Sequence, residues 1–255
     1  MIKVIGMTPS YNDEIILPPF FSALDMIKPK IDYHLFATNN CTDKTPAMID
    51  KYLEGRAGEN RRFNLPKDIS QVLDEPYVGV GIARQYLLKR AREIMEADKS
   101  YTHALCLDTD IYMNDLNALE KITEWHADII GGSYLRMFPE GKFLATRFMV
   151  IEKGDEALRE KVFYDIAIPF VTSAGFMCLS RKAVLDERLR FFPIWKALSS
   201  GKVNDDTSED FGFCLNAHRF GYNTYVDGTV KLVHLSGPKQ RSFMMGPRGY
   251  NEFKY

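Results

Sequence analysis

The sequence predicts an α/β fold with a mostly parallel central sheet flanked by helices. Apolar segments typical of strands alternate with segments of helical periodicity through the first half of the chain, which is the order expected of a parallel sheet. Polar turns follow three of these strands. In the second half, strand-like segments follow one another with fewer helices between them, and this indicates a small antiparallel portion.

The composition is that of an ordinary globular protein. Of the 255 residues, 45% are hydrophobic, and 33 basic and 34 acidic residues leave a net charge of -1. This balance gives no basis for binding nucleic acid through overall charge. No apolar run approaches the length of a transmembrane segment, and the four cysteines form no CxxC pair. We therefore expect reduced thiols and a cytoplasmic location.

The elements of the first half follow from periodicity and from the positions of proline. We expect strands over 2–9, 32–40, 69–75 and 101–110, and helices over 15–27, 46–55 and 80–99. Pro9 is expected to end the first strand, and Pro46 to lie in the first turn of the second helix. The polar stretch 55–68 is expected to be a loop.

The elements of the second half are predicted from shorter patterns. We expect strands over 128–136, 143–152 and 170–181, two short strands within 223–236, and helices over 114–127, 182–189 and 208–222. Asn114 or Asp115 is expected to cap the first of these helices. Ser208 is expected to cap the last, which ends at Gly221.

Three polar turns are expected to lie along one edge of the sheet. They are residues 8–12 after the first strand, 38–43 after the second, and 108–110 after the strand over 101–110. In parallel α/β sheets, ligands bind outside the carboxyl ends of the strands. The three turns together therefore predict a binding site at this edge.

The last of these turns contains two aspartates one residue apart, Asp108 and Asp110. In an extended segment, residues two apart face the same side, so both carboxylates can face one point while Thr109 turns away. Two carboxylate groups favour a hard cation such as Mg²⁺ or Mn²⁺. The plainer interpretation is a strand-end turn that happens to contain two aspartates.

The stretch "GVGIARQ", residues 79–85, places two glycines before a helix. A helix start can bind phosphate through its free N–H groups, and Arg84 would lie in the first turn within reach of a phosphate oxygen. The alternative is an ordinary loop with a surface arginine. The stretch does not match the GxGxxG fingerprint, because Arg84 occupies the third glycine position.

Glu209 and Asp210 open a predicted helix, where they serve either as favourable first-turn charges or, with a hydroxyl substrate nearby, as a general base. His234 ends an apolar strand. A histidine in that position is either structural or a third ligand for the metal site.

The order of these segments resembles the GT-A glycosyltransferases, and within them the family 2-like group. The segments that carry the resemblance are "TPSYND", "NNCTDKT", "GVGIARQ", "CLDTD", "TSAGFMCLSR" and "SEDFGFCLNAHRFGY". It spans roughly 2–234, and it implies a GT-A, Rossmann-like fold. It also implies one domain over 1–255: a nucleotide-binding half over about 1–112, an acceptor-binding half over about 113–235, and a flexible tail over 236–255.

The resemblance implies a role for each matching position. The base, ribose and diphosphate of a nucleotide-sugar would be bound by Pro9, Tyr11, Asn12, Thr38, Asn39, Asp43, Gly81, Arg84, Asp108, Thr109 and Asp110. Asp108, Asp110 and His234 would ligate the metal, Mn²⁺ or Mg²⁺. Asp210, with Glu209 beside it, would supply the catalytic base.

The implied activity is a metal-dependent transfer of a sugar, of the hexosyltransferase class, from a UDP- or GDP-sugar to a hydroxyl of a sugar or glycoconjugate acceptor. A base at Asp210 implies inversion, and a retaining enzyme is the alternative. Thr38 departs from the family pattern, which often has an aspartate at this position, and this leaves the nucleotide base open. The processive-synthase motif QxxRW is absent from the sequence.

Two other classes remain as alternatives. A sugar-1-phosphate nucleotidyltransferase would need a first loop of the "GxGxR" kind, and the sequence has "GMTPSYN" there. A non-catalytic module that binds sugar nucleotides would keep the pocket without needing the metal ligands or the base. The tail, which contains Lys239, Arg241 and Arg248, is expected to be either a solvated end or a lid over the diphosphate.

Overall fold

The structure is a computed structural model of the chain. It describes residues 2–64, 76–113, 115–137, 143–145, 147–149, 158–160, 166–167, 172–191 and 209–235. The predicted short strand over 69–75, the cap Ser208 and the tail over 236–255 lie outside these ranges.

The elements alternate in the first half of the chain as the sequence predicts. The strands are β1 (Val4–Ser10), β2 (Ile31–Asn39), β3 (Gly58–Phe63), β4 (His103–Leu107), β5 (Ile111–Tyr112), β6 (Ile129–Met137), β7 (Phe143–Ala145), β8 (Arg147–Met149), β9 (Leu158–Glu160), β10 (Ile166–Ala167), β11 (Phe176–Ser180) and β12 (Thr224–His234). The helices are α1 (Leu17–Met26), α2 (Thr45–Leu53), α3 (Pro76–Ala97), α4 (Ala118–Glu124), α5 (Arg181–Leu185) and α6 (Glu209–Arg219).

Ten of these strands form one mixed sheet, whose main path has the order β10-β12-β6-β11-β4-β1-β2-β3. The strands β1 to β4 pair in parallel, and β12 is parallel to β6. Within the main path, only β11 and β10 run in the opposite direction in the part of the chain that is described. The predicted fold class, a mostly parallel sheet with an antiparallel portion in the second half, is confirmed.

Both faces of the sheet are covered, because successive side chains along each strand point to opposite faces. On one face, Ile5 and Met7 of β1 pack with Leu87 and Leu88 of α3. On the other face, buried side chains of α1, α2 and α4 pack on β2, β4 and β11. The strand ends are thereby held in fixed register at the edge where the three polar turns lie.

The polar stretch expected to be a loop contains strand β3, so that prediction was wrong. β3 pairs in parallel with β2 from His34–Gly58 to Asn39–Phe63 and is the last strand on its side of the sheet. An edge strand can carry charged residues because only one of its sides is paired. Gly58 allows the close approach, since a Cβ there would lie 2.5 Å from the carbonyl oxygen of His34.

Three further predictions are corrected. The stretch expected to form two short strands is the single strand β12, with a register shift between Asp227 and Lys231. The N-cap of α4 is Asn117 and not the predicted Asp115, and Asn117 makes no side-chain cap hydrogen bond. Pro9 does not end β1 but lies within it, because the strand continues to Ser10.

The four cysteines are free, and three of them, Cys106, Cys178 and Cys214, are buried. None of the helices in the described ranges has both the length and the apolar character that crossing a bilayer requires.

Candidate active site

The three polar turns meet at the carboxyl ends of β1, β2 and β4, as the sequence predicts. The hydroxyl of Thr109, after β4, donates to Asp13 Oδ2 across 2.8 Å. The backbone N–H of Asp13 donates in turn to the hydroxyl of Thr45, at the start of α2, across 2.7 Å. These two hydrogen bonds join all three turns into one surface.

Asp13 connects these turns, and sequence reasoning missed it. It is only 4% exposed, and its Oδ2 also accepts from the hydroxyl of Ser10 at 2.8 Å and from the backbone N–H of Tyr11 at 3.0 Å. A buried carboxylate is stable only when its oxygens accept hydrogen bonds, and three donors meet this need. The spacing Ser10-x-x-Asp13 directly after an apolar strand was the available clue.

Thr109 is buried and turns away from its two neighbours, as the strand alternation predicts. Its hydroxyl is engaged by Asp13, so its visible role is to fix the turn rather than to face a ligand. Asp108 and Asp110 are therefore carried on a turn whose central residue is tied to the loop after β1.

Asp108 is bound by Arg84. The Nη2 atom of Arg84 donates to both carboxylate oxygens of Asp108, at 2.6 and 2.7 Å. Burial, and to a lesser degree the neighbouring Asp110, raise the pKa of Asp108 to about 6 against the opposing effect of Arg84. Asp108 thus has a positive partner inside the protein.

Arg84 also contacts Glu209, the first residue of α6, with 3.3 Å between Nε and Oε1. The Arg84 side chain is 5% exposed. Burial lowers the pKa of Arg84, but Asp108 and Glu209 outweigh it, so the pKa lies above its ordinary value. Burial raises the pKa of Glu209 to about 7, while Arg84 lowers it and Asp210 raises it. We call Arg84, Asp108 and Glu209 the ion-pair triad.

The triad has unused hydrogen-bonding atoms. Within the described residues, Arg84 Nε, Arg84 Nη1 and Glu209 Oε2 are buried and make no hydrogen bond, so the 3.3 Å contact of Nε with Glu209 is an ion pair only. Such atoms in a buried cluster are costly unless a further polar group reaches them. The cluster therefore retains capacity for one more polar contact.

The expected phosphate site at a glycine-led helix start is not present. Helix α3 begins at Pro76, so Gly79 and Gly81 lie inside it and Arg84 lies well past its first turn. Gly79 packs closely on Asn39, whose Nδ2 would lie 3.1 Å from an added Cβ. Arg84 points into the ion-pair triad rather than outward from a helix end, which corrects the predicted geometry.

Asp110, His234 and Asp210 lie beside the triad. His234 Nε2 is 3.7 Å from Asp110 Oδ2, and the backbone N–H of Leu235 donates to the Asp110 carbonyl across 2.8 Å. Pairing of β12 with β5 brings these residues together. Asp210 Oδ2 accepts from the backbone N–H of Ala174 at 3.4 Å.

The predicted metal ligands Asp108, Asp110 and His234 are only partly assembled. In the described ranges, no three His, Cys, Asp or Glu side chains are grouped so that they could hold a metal ion. The Nη2 atom of Arg84 donates to both oxygens of Asp108, so this carboxylate already has a positive partner inside the protein. Asp110 and His234 are placed as neighbouring oxygen and nitrogen donors, a pair that suits Mn²⁺ or Mg²⁺ together with ligand oxygens.

The residues expected to contact the base and ribose have different surroundings. Pro9 and Thr38 are buried within β1 and β2. Asp43 accepts from the backbone N–H groups of Thr45 and Glu14, at 2.9 and 3.1 Å, so its carboxylate holds the loop. These three residues therefore support the surface of the candidate site from inside the fold.

Tyr11, Asn12 and Asn39 are nearer to the surface. Tyr11 is 59% exposed. Asn12, with a φ of 52°, accepts from the backbone N–H of Thr42 at 2.8 Å and so joins the first two turns. Among the described residues, the Oδ1 atom of Asn39 is buried and has no hydrogen-bond partner. A ligand could thus contact the exposed ring of Tyr11 and donate a hydrogen bond to Oδ1 of Asn39.

Comparison with known proteins rests on structure. No protein-family model matches the sequence, and no curated protein matches it. The structure of residues 1–349 of TarS from S. aureus is similar, with a TM-score of 0.58 and 16% identity over 96% of this chain and 63% of that one. The complex of the same protein with UDP-GlcNAc gives a TM-score of 0.58 and 17% identity, over 94% of this chain and 61% of that one.

A second protein shares the fold. The mannosyltransferase PcManGT from Pyrobaculum calidifontis, in complex with GDP-Man and Mn²⁺, matches with a TM-score of 0.51 and 10% identity. The match covers 95% of this chain and 60% of that one. The chain therefore has the GT-A fold, as the sequence resemblance implied. It spans less than two thirds of the length of these solved structures.

Proposed function

We propose that this chain is a glycosyltransferase that moves a sugar from a UDP- or GDP-sugar to a hydroxyl acceptor. The observation that carries the proposal is the meeting of two acidic pairs, Asp108 with Asp110 and Glu209 with Asp210, at the carboxyl edge of a GT-A sheet. The solved neighbours support it, because they were obtained with UDP-GlcNAc and with GDP-Man and Mn²⁺.

The donor would lie over the turns after β1 and β2, in the nucleotide-binding half over about 1–112. Tyr11 offers an exposed ring for the base, and Asn39 offers an amide whose Oδ1 is unpartnered within the described residues. The acceptor would approach from the half over about 113–235. Because Thr38 is buried, base selection would depend on Asn39 and the loop around Asn12.

Asp110 and His234 would hold the divalent cation. When bound, Mn²⁺ or Mg²⁺ would neutralise charge on the leaving diphosphate. Asp108, engaged by Arg84, would face the donor's ribose or sugar or serve to fix the turn.

Asp210 would act as the general base that accepts the proton of the acceptor hydroxyl. Glu209 is less suited to this role, because it is buried, contacts Arg84, and has a pKa raised to about 7. Attack by a hydroxyl activated in this way, on the face opposite the leaving diphosphate, would invert the anomeric carbon. A product with retained configuration would instead support the retaining alternative.

The test begins with ligand binding. The melting temperature would be measured with UDP-GlcNAc, UDP-glucose and GDP-mannose, each with and without Mn²⁺. A sugar nucleotide that raises it only with Mn²⁺ would then be incubated with candidate acceptors, and release of free nucleoside diphosphate would be followed. Binding without any transfer or hydrolysis would favour a non-catalytic module, and binding of none would contradict the proposal.

The matched variants are Asp110→Asn and Asp115→Asn. Asp115 is ion-paired with Lys121 at 2.6 Å and accepts from the backbone N–H of Asn117, before α4. We expect the first variant to lose the Mn²⁺-dependent shift and the second to keep it. Equal behaviour of the two variants would remove Asp110 from the proposed metal site.

A further inference from the structure

We propose that Arg84 and Glu209 are positioning residues for the two side chains that carry the chemistry, Asp110 and Asp210. Arg84 would fix Asp110 through Asp108, and its contact with Glu209 would fix Asp210. This inference rests on the proposed function and goes beyond it, since it gives Arg84 an internal role instead of a phosphate contact. The observation behind it is that one buried guanidinium joins the turn after β4 to the first turn of α6.

The first step concerns connectivity. Arg84 lies on α3, Asp108 between β4 and β5, and Glu209 at the start of α6, so the ion-pair triad ties three separate elements. Each carboxylate that Arg84 holds lies one or two residues before a proposed functional residue. Asp108 precedes Asp110 by two positions, and Glu209 directly precedes Asp210.

The second step concerns charge. Asp108 and Glu209 are both acidic and both contact a guanidinium that is almost completely buried. A buried charge is tolerated only when it is paired, so removing Arg84 leaves two carboxylates without their counter-charge. Those carboxylates would then separate or take up protons, and the turn and the helix start that they anchor would shift with them.

The third step concerns shape. A guanidinium is planar and has five N–H donors, so it can serve two carboxylates at once. Here Nη2 serves Asp108 while Nε faces Glu209. A lysine would supply the same charge from a single point and could not hold both groups in this arrangement. This difference separates a positioning role from a role in charge balance alone.

The chain offers a matched control in Arg92, on the same helix. Arg92 is also largely buried, but it donates to the backbone carbonyl oxygens of Val184 and Asp186 instead of to carboxylates. Arg92→Met should lower the melting temperature without changing the chemistry of the site. It therefore measures what loss of a buried arginine from α3 does to the fold alone.

The experiment compares Arg84→Lys, Arg84→Met, Glu209→Gln and Arg92→Met with the unmodified chain. Melting temperature, the Kd for UDP-GlcNAc or GDP-mannose, and kcat and KM for transfer are measured for each. We expect Arg84→Lys to fold and to bind the donor within a few-fold of the unmodified chain, with a kcat lower by about 100-fold, the scale of loss caused by misplacement of about 1 Å. We expect Glu209→Gln to lower kcat by roughly 10-fold, which corresponds to about 1.4 kcal/mol of activation free energy, and Arg92→Met to leave kcat unchanged.

The outcomes separate the two proposals. If the unmodified chain transfers sugar and Arg84→Lys keeps its kcat, the positioning role is overturned. If Arg92→Met lowers kcat as much as Arg84→Lys, the effect belongs to the fold and the positioning role is again overturned. If the unmodified chain neither binds nor transfers, the proposed function has failed. The ion pair between Arg84 and Glu209 is then tested by the melting temperatures of Arg84→Met, Glu209→Gln and the variant that carries both changes. If the loss in the double variant equals the sum of the two single losses, the ion pair does not stabilise the chain.

Discussion

The hydroxyl of Thr109 donates to the carboxylate of Asp13 across 2.8 Å, and this hydrogen bond joins the turn that carries Asp108 and Asp110 to the loop after β1. Both groups are buried. This one side-chain hydrogen bond therefore connects the turn of the proposed metal ligands to the loop of the proposed nucleotide site. A ligand that orders the loop after β1 would act directly on the orientation of the two aspartates.

Replacing Thr109 with valine keeps the shape of the side chain and removes this hydrogen bond. Asp13 would keep its donors from Ser10 and Tyr11 but lose the third. We expect the free energy of unfolding, measured by urea titration, to fall by about 1 to 2 kcal/mol. Calorimetric Kd values for the donor should rise by roughly threefold or more, since each tenfold change in Kd reflects about 1.4 kcal/mol.

The control is Thr229→Val, because Thr229 also donates its hydroxyl to an aspartate, Asp227, at 2.7 Å, but is itself exposed and lies at the register shift of β12. This variant should change the donor Kd little. A Thr109→Val chain that binds the donor as well as the control does would show that the Asp13 contact is irrelevant to the site.

Asp210→Asn tests the proposed base. We expect kcat for transfer to fall by about 10²- to 10⁴-fold, the usual contribution of a general base, with the donor Kd nearly unchanged. Asp210 also lies in the first turn of α6, where its charge favours the helix. Glu120→Gln removes a first-turn charge from α4, away from the site, and corrects for that effect. A kcat loss no larger than in this control would eliminate Asp210 as the base.

Removal of metal should abolish transfer, and added Mn²⁺ should restore it. If His234 is a ligand beside Asp110, His234→Gln should raise the Mn²⁺ concentration for half-maximal activity by roughly tenfold or more. His218→Gln is the control, because His218 lies on α6 with its Nε2 3.3 Å from the hydroxyl of Thr224 on β12. Activity that is insensitive to chelation would contradict metal dependence.

Much of the fold was predictable because its cause is local. The apolar strands β1, β2 and β4 and the periodic helix α3 have patterns that depend only on their own residues, and the sequence placed them to within a few residues. Strand β3 was missed because an edge strand can be polar, and its pairing with β2 depends on a neighbour that is remote in sequence. β12 was divided in two because Asp227 and Gly228 resemble a turn, whereas pairing with β6 carries the strand past them.

The sequence predicted which residues lie at the candidate site, but not the contacts between them. The sequence pointed to Arg84, Asp108, Glu209, Asp110 and His234 as separate motifs, and the structure brings them to one edge. That Arg84 would turn inward and pair with both Asp108 and Glu209 depends on burial and on the position of α6, which no local pattern encodes. Asp13 was missed for the same reason, because its partner Thr109 is 96 residues away.

A pH-sensitive contribution to stability is predicted at His34, far from the metal side of the site. Its side chain is 8% exposed and packs edge-on against Tyr52, with ring centroids 5.5 Å apart. Burial, and to a lesser degree Arg56, lower the pKa of His34 from 6.5 to about 4, while Asp25 and Asp32 oppose the shift. The folded chain therefore keeps this imidazole neutral where the unfolded chain protonates it.

Because the pKa of His34 is lower in the folded state, the stability linked to it is complete above pH 6.5 and is lost as the pH falls toward 4. The contribution lost between pH 7 and pH 4.5 is on the order of 2 kcal/mol. Urea unfolding of the unmodified chain and of His34→Gln at both pH values isolates it, because the other groups titrate in both proteins. We expect the free energy of unfolding to fall more for the unmodified chain; an equal fall in both would show that His34 is protonated as readily in the folded state as in the unfolded one.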